Sequence, residues 1–350
     1  METPLIRVAV LSYPMLFQAQ GGLQVQVRET ISALNSSGCD ARLVDLTREK
    51  LFDFDLVHVF SVINGNHRVV EWAQSHDKPV VLSPLLRPNW TSSFSRRAAF
   101  GDWMIGRLTG WEVKSEYRQM HSGITRASRC VALGAVEKAC LVGAFGVAAD
   151  SVDVVPNGIP QRFFNTGAEQ FLTTQGVQAG YVLCVASINS HKNQLGLAAA
   201  LADSGLRVVV IGHCQPADQP YLNALCAMPH VHYAGGFAHD SPMLASAYAG
   251  AGVFCIASMA EVMPLCVLEA LAAGTPAVMT RHHAMDLDGL HDYIREIEPT
   301  SVTGIREAVG HFISNPPNRP ACARSVSALT WDAVAGALMK TYARASVGGR

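Results

Sequence analysis

The sequence predicts an α/β protein of two facing domains, each built on a parallel sheet. Three observations carry this. Short apolar runs alternate with helix-length segments along most of the 350 residues. Within the runs apolar residues follow one another almost without a break, as in strands whose two faces are both covered. The series also stops once, over residues 160–180, where turn and small polar residues replace it, and then starts again. An apolar content of 49% in a chain of this length is enough for two cores. Two such Rossmann-like units leave a cleft between them, and open parallel sheets bind ligands outside the carboxyl ends of their strands.

The first series begins with IRVAVLSY (residues 6–13), followed by a helix over residues 25–35 and then ARLVDL (41–46). DLVHVF (55–60), PVVLS (79–83), CVALG from Cys130 and VDVVP from Val152 complete it. The second series is YVLCVAS (181–187), LRVVVIG (206–212), VHYAG (231–235), GVFCIAS (252–258) and PAVMT (276–280). A helix is expected over residues 325–345, after the proline-rich NPPNRP. These runs divide the chain into residues 1–165, 166–324 and a helix within 325–350 that packs back on the first domain. The uncharged stretch 243–260 is read as helix, turn and buried strand, because Gly250 and Gly252 interrupt it where Ala-rich sequence gives way to Val, Phe and Ile.

A formal charge of −1 provides no overall basic field, so nucleic acid is not an expected partner. The nine cysteines are scattered singly, several inside apolar runs, with no CxxC pair. They are expected to be reduced core thiols rather than a disulfide framework or a zinc site. METPLIRVAVLSY lacks the basic start and long apolar region of a secretory leader, so a cytoplasmic location is expected.

The segment EVMPLCVLEALAAGTP (261–276) places two carboxylates, Glu261 and Glu269, in sequence that otherwise favours burial. Pro264 suits the first turn of a helix and Gly274 its end, so Glu261 falls at the cleft mouth and Glu269 within the helix. Apolar side chains surround Glu269 on nearly every face, and an ionised carboxylate there needs a hydrogen-bonding partner. A ligand hydroxyl pair fits, and the helix N-terminus beside it favours an anion such as a diphosphate. A surface helix with an exposed Glu269 and a salt-bridged Glu261 is the alternative.

SMAEVMPLCVLEALAAGTP resembles the E-x7-E signature of retaining glycosyltransferases of the GT-B fold, specifically glycosyltransferase family 4. Four further landmarks resemble the family in the same order: GGLQVQVRETISAL (21–34), DVVPNGIPQRFF (153–164), VASINSHKN (185–193) and VHYAGGFAHDSPMLASAYAGAGVFCIAS (231–258). The resemblance implies transfer of a hexose from a GDP- or UDP-linked sugar to a glycan or lipid-linked glycan, as in polysaccharide biosynthesis. It implies no bound metal or other cofactor. It gives Glu261 the donor sugar hydroxyls, Glu269 the ribose hydroxyls, and Lys192 the charge that develops on the leaving diphosphate. Gly21, Gly22 and the backbone N–H groups of Met263, Leu265 and Cys266 would face sugar and phosphate, and Ser187 and Asn193 would flank Lys192 in the donor site.

The chain departs from the family pattern in three places. Ser187 stands where many relatives carry an arginine, although S-x-x-x-x-K-N also occurs in mannosyltransferase-type relatives, which tilts the expected donor toward GDP-mannose. Ser83, Pro84, Leu85 and Leu86 follow PVVL where the acceptor domain often carries a histidine; His58 is the nearest candidate, with a structural role as its alternative. RHHAMDLDG replaces the Gly-Gly-x-x-Glu segment, and the spacing of His282, His283 and Asp286 is poor for a metal. A non-catalytic binding subunit, or an epimerase or hydrolase using the same fold, therefore stays open.

On the acceptor side, residues 87–126 hold Arg87, Arg96, Arg97, Arg107, Lys114, Arg118 and Arg126 against Asp102, Glu112 and Glu116, together with Trp90, Trp103 and Trp111. Basic residues mixed with tryptophan suit an anionic membrane surface or a lipid-diphosphate acceptor, with Arg87 and Trp90 as candidate contacts and the inner membrane face as a peripheral location. The alternative is a helix whose aromatic rings face the core.

Overall fold

The computed structural model describes residues 5–18, 21–88, 90–113 and 115–347; Lys114, from the basic segment, lies outside the described residues. The first domain carries β1 (Arg7–Leu11), β2 (Asp40–Leu43), β3 (Leu56–Phe60), β4 (Val80–Ser83), β5 (Arg129–Ala132) and β6 (Val152–Val154). They form one parallel sheet in the order β2-β1-β3-β4-β5-β6. The second carries β7 (Tyr181–Val185), β8 (Val208–Ile211), β9 (Val231–Tyr233), β10 (Ala251–Ile256), β11 (Ala277–Thr280) and β12 (Ile294–Ile297) in the order β12-β11-β10-β7-β8-β9, again parallel. Read from β9, that is the doubly wound order 3-2-1-4-5-6.

All the expected strands are present, with boundaries differing by a few residues. Residues 243–260 contain the helix Pro242–Gly250, then β10, and among the described residues no helix is long and apolar enough to cross a membrane. β12 was not expected. Its IREI sequence buries only the two isoleucines and leaves Arg295 and Glu296 exposed, so this edge strand never shows an unbroken apolar run. All nine cysteines are free, and six are buried.

The expected helix over residues 325–345 starts later, as Trp331–Val347, and a short helix, Arg319–Ser325, precedes it. The longer helix crosses to the first domain, where Trp331, Val334, Leu338 and Tyr342 share a core with Val8, Val27 and Phe60. Asp153 at β6 fastens it, accepting from Thr341 Oγ1 at 2.8 Å and pairing with Arg344 at 2.9 Å.

One buried carboxylate shapes the first domain's side of the cleft. Glu137, fully buried in the helix Ala135–Phe145, accepts from the Leu86 N–H at 2.7 Å and the Leu133 N–H at 2.8 Å, fixing the loops after β4 and β5. Burial raises its pKa to about 7, against the pull of those backbone hydrogen bonds. Glu137→Leu strands both N–H groups, and each orphaned donor costs about 1–3 kcal/mol. We expect urea unfolding to show a loss of stability near the sum of the two.

Candidate active site

The cleft holds a cavity of about 370 Å3 at the point where both sheets reverse their strand order, beside β1 and beside β7. Chain leaving β1 brings Gly21 and Gly22, chain leaving β7 brings Ser187 and Lys192, and chain leaving β10 brings Glu261. Glu269, Met263, Leu265 and Cys266 complete the expected donor residues on its wall.

Glu261 and Lys192 meet directly, Nζ lying 2.7 Å from Oε1. Burial disfavours the lysine charge, but the adjacent carboxylate outweighs that and raises the lysine pKa. Lys192 therefore stays cationic, and its remaining N–H donors are available to a ligand. The loop 281–286 braces Glu261 from behind: the Glu261 N–H donates to the His282 carbonyl at 2.8 Å, and the Ala284 N–H to the Val262 carbonyl at 2.9 Å. The replaced family segment thus acts here as backbone support.

Glu269 is 4% exposed, and its partners are side chains of the protein. His239 Nε2 lies 2.7 Å from Oε1, and the Tyr248 hydroxyl donates to Oε2 at 2.8 Å. The apolar helix Leu265–Ala272 carries this charge because both oxygens are bonded from outside it. Each oxygen keeps a second acceptor direction for a ligand hydroxyl. Neither His239 nor Tyr248 had been singled out from the sequence. His239 sits past the carboxyl end of β9 and Tyr248 is the one aromatic residue of the helix Pro242–Gly250, which are the signals that could have marked them.

His239 is in turn flanked by Glu29, whose Oε1 is 3.5 Å from Nδ1. Burial opposes its protonation, but the hydrogen bonds to Glu269 and Glu29 prevail and raise its pKa to about 9. Arg162 Nη2 lies 2.7 Å from Nδ1, a contact that would suit only a neutral ring. With two carboxylates facing it we take the imidazole as charged, and Arg162 donates instead to Glu29 at 3.0 Å.

Two helices point their N-termini into the cavity, Gly22–Ser36 from the first domain and Leu265–Ala272 from the second. Neither is capped by a side chain, so both offer N–H groups and partial positive charge to an anion. Gly21 is extended, with φ −177°, and needs no glycine for its torsion angles. A Cβ on Gly22 would meet nothing nearer than Leu265 Cδ1 at 4.0 Å, so the glycines leave the approach open. Gly274 differs: with φ +77° and Arg319 backbone 2.9 Å from a Cβ, it ends the second helix as only glycine can.

Other expected residues lie elsewhere. Asn193 turns away, its Nδ2 donating to the Pro299 carbonyl at 2.8 Å, and does not line the cavity. His58 is fully buried between Tyr342 Oη at 2.8 Å and Ser83 Oγ at 2.9 Å, with burial lowering its pKa to about 3. It ties the terminal helix to the sheet and cannot meet an acceptor. Trp90 packs against the first domain's core beside Tyr117 and Phe145, and Arg87 is exposed outside the cavity. Conversely, Asn157 and His213 line the cavity, and Asn157 Oδ1 and His213 Nε2 are buried without a protein partner among the described residues. His282 and His283 diverge to Glu298 and Glu296, and among the described residues no group of three or more His, Cys, Asp or Glu could hold a metal.

The basic segment forms the helix Ser92–Leu108, which buries Ser95, Asp102 and Gly106 and exposes Phe94, Phe100, Trp103, Met104, Ile105 and Leu108. Arg96, Arg97 and Arg107 are exposed among them, and Trp111 follows in the next turn. The small buried face explains why so many apolar side chains remain outside.

Residues 179–315 match the family model described as glycosyl transferases group 1. The matched stretch runs from β7 to β12, and so includes Lys192, Glu261 and Glu269. No curated protein matches the chain in sequence. Solved structures similar to the whole chain include sucrose-phosphate synthase from Thermosynechococcus elongatus, with TM-score 0.73, 16% identity, and coverage of 96% of this chain and 98% of the other. HepE from Anabaena, in complex with UDP and glucose, gives 0.66 at 12% identity, covering 97% and 99%. WaaG, a glycosyltransferase involved in lipopolysaccharide biosynthesis, gives 0.60 at 17%, covering 93% and 97%. The fold is GT-B. The stretch that matches the group 1 model lies in the second of the two domains.

Proposed function

We propose that the chain is a retaining glycosyltransferase that moves a hexose, mannose-like by the loop resemblance, from a GDP- or UDP-linked sugar to a glycan or lipid-linked glycan. The observation that carries the reading is the convergence of two uncapped helix N-termini and the Lys192–Glu261 pair on one interdomain cavity. A diphosphate suits the helix ends, and Lys192 supplies a fixed cation where the β-phosphate gains charge as the glycosyl bond breaks. Glu261 receives donor sugar hydroxyls and Glu269 the ribose diol, with Met263, Leu265 and Cys266 lining the way between them. Residues 1–165 then bind acceptor and 166–324 donor, while the terminal segment braces the first domain. No side chain is assigned as a nucleophile, and the family resemblance supports a mechanism without metal. Closure of the cleft around both substrates provides the orientation.

A panel of GDP-, UDP- and dTDP-sugars tests this, with products followed by NMR in the presence of glycan and lipid-linked acceptors. Transfer with the anomeric configuration kept supports the reading, and an inverted product contradicts it. Sugar released to water whether or not acceptor is present supports the hydrolase alternative, and nucleotide binding without turnover supports the binding-subunit alternative.

The same reading places the helix Ser92–Leu108 on an anionic membrane surface, its apolar side chains among headgroups and its arginines on phosphates. We expect flotation with vesicles containing phosphatidylglycerol, reduced at least severalfold by Phe100→Asp with Trp103→Asp, and weaker at high salt. Equal flotation of the double variant would remove the helix from the account.

A further inference from the structure

Beyond the donor contacts, one chain of side chains crosses the cleft. Glu29 belongs to the first domain's helix Gly22–Ser36, Arg162 to the connection between domains, and His239 and Glu269 to the second domain. Arg162 Nη2 lies 3.0 Å from Glu29 Oε1, Arg162 Nε donates to the His239 carbonyl at 3.3 Å, and His239 Nε2 lies 2.7 Å from Glu269 Oε1. The Arg162 guanidinium and the His239 ring both rest against Phe163, which is fully buried. Every link is half-buried or better, so solvent screens the chain far less than a surface ion pair.

We propose that His239 is a positioning residue that couples donor binding to the placement of the two domains, holding the Glu269 carboxylate with one ring edge and facing Glu29 of the first domain, 3.5 Å from Nδ1, with the other. His239 and Tyr248 each occupy one direction on Glu269, which leaves the carboxylate fixed in rotation with its free lone pairs directed at the ligand. When the first domain moves away, Glu29 leaves the ring, His239 loses the carboxylate on its Nδ1 side, and Glu269 loses its orientation. Nucleotide affinity therefore depends on a residue of the opposite domain that does not line the main cavity.

The inference rests on the proposed donor site, and a double-mutant cycle separates the two. Binding of UDP and of GDP to the full chain is titrated for wild type, Glu29→Gln, His239→Ala and the double variant, with unfolding midpoints measured alongside. Glu29→Gln and His239→Ala are each expected to weaken binding about five- to tenfold, and the double variant no more than His239→Ala alone. His239→Gln, which keeps a donor toward Glu269 but loses the charged edge facing Glu29, is expected to weaken binding about as much as Glu29→Gln. If Glu29→Gln leaves affinity unchanged, or the two losses multiply, the coupling is wrong while the donor site stands. If wild type binds neither nucleotide, the donor site itself fails and the coupling with it.

Discussion

Lys192→Ala is expected to lower glycosyl transfer by about 100- to 1000-fold, the usual effect of removing a preorganised group aimed at developing charge. The lysine lines the cavity, held 2.7 Å from Glu261 and charged in spite of its burial. Its contribution grows as the leaving phosphate gains charge, so the loss falls on kcat more than on nucleotide affinity. Steady-state rates with titrated nucleotide binding check this. A variant that keeps turnover within threefold while losing affinity would make Lys192 a ground-state binding residue only.

Glu269→Ala is expected to weaken nucleotide binding by about 10- to 100-fold, from hydrogen bonds to a charged acceptor each contributing about 1.5–3 kcal/mol. The substitution removes the carboxylate proposed for the ribose diol and strands His239 and Tyr248, whose common partner it is. Folding stability should fall as well, because the Tyr248 hydroxyl is buried and, among the described residues, donates to Glu269 alone. Glu269→Gln separates the effects. It keeps an oxygen for Tyr248 but offers an amide to the charged His239, so binding should suffer even where the unfolding midpoint recovers. Calorimetric titration and thermal unfolding of both variants decide it; affinity within threefold of wild type in both would exclude Glu269 from the ribose site.

Much of the fold was legible because the central strands write near-continuous apolar runs, whereas β12, which buries only its two isoleucines, was missed. The positions of Glu261 and Lys192 could also be read, since both follow strand ends that a parallel sheet must direct at its cleft. What surrounds Glu269 could not. An apolar helix states that its carboxylate needs a partner, but whether that partner is a ligand or a histidine 30 residues upstream depends on loop paths with no periodic trace. His58 shows the converse. A histidine in a strand of apolar residues looks like a functional exception, yet Tyr342, brought across by the terminal helix, satisfies it as part of the core. Asn193 likewise follows the lysine in sequence but takes a left-handed turn, φ +53°, that sends its side chain to Pro299.

Titration of the purified wild-type chain with UDP, GDP and dTDP by calorimetry tests the central claim most directly. The account predicts one site per chain for at least one of these diphosphates, with affinity lost in Glu269→Ala. If none of the three binds at millimolar concentration, the convergence of helix ends and Lys192 on the cleft does not form a nucleotide-sugar site, and the proposed activity is contradicted.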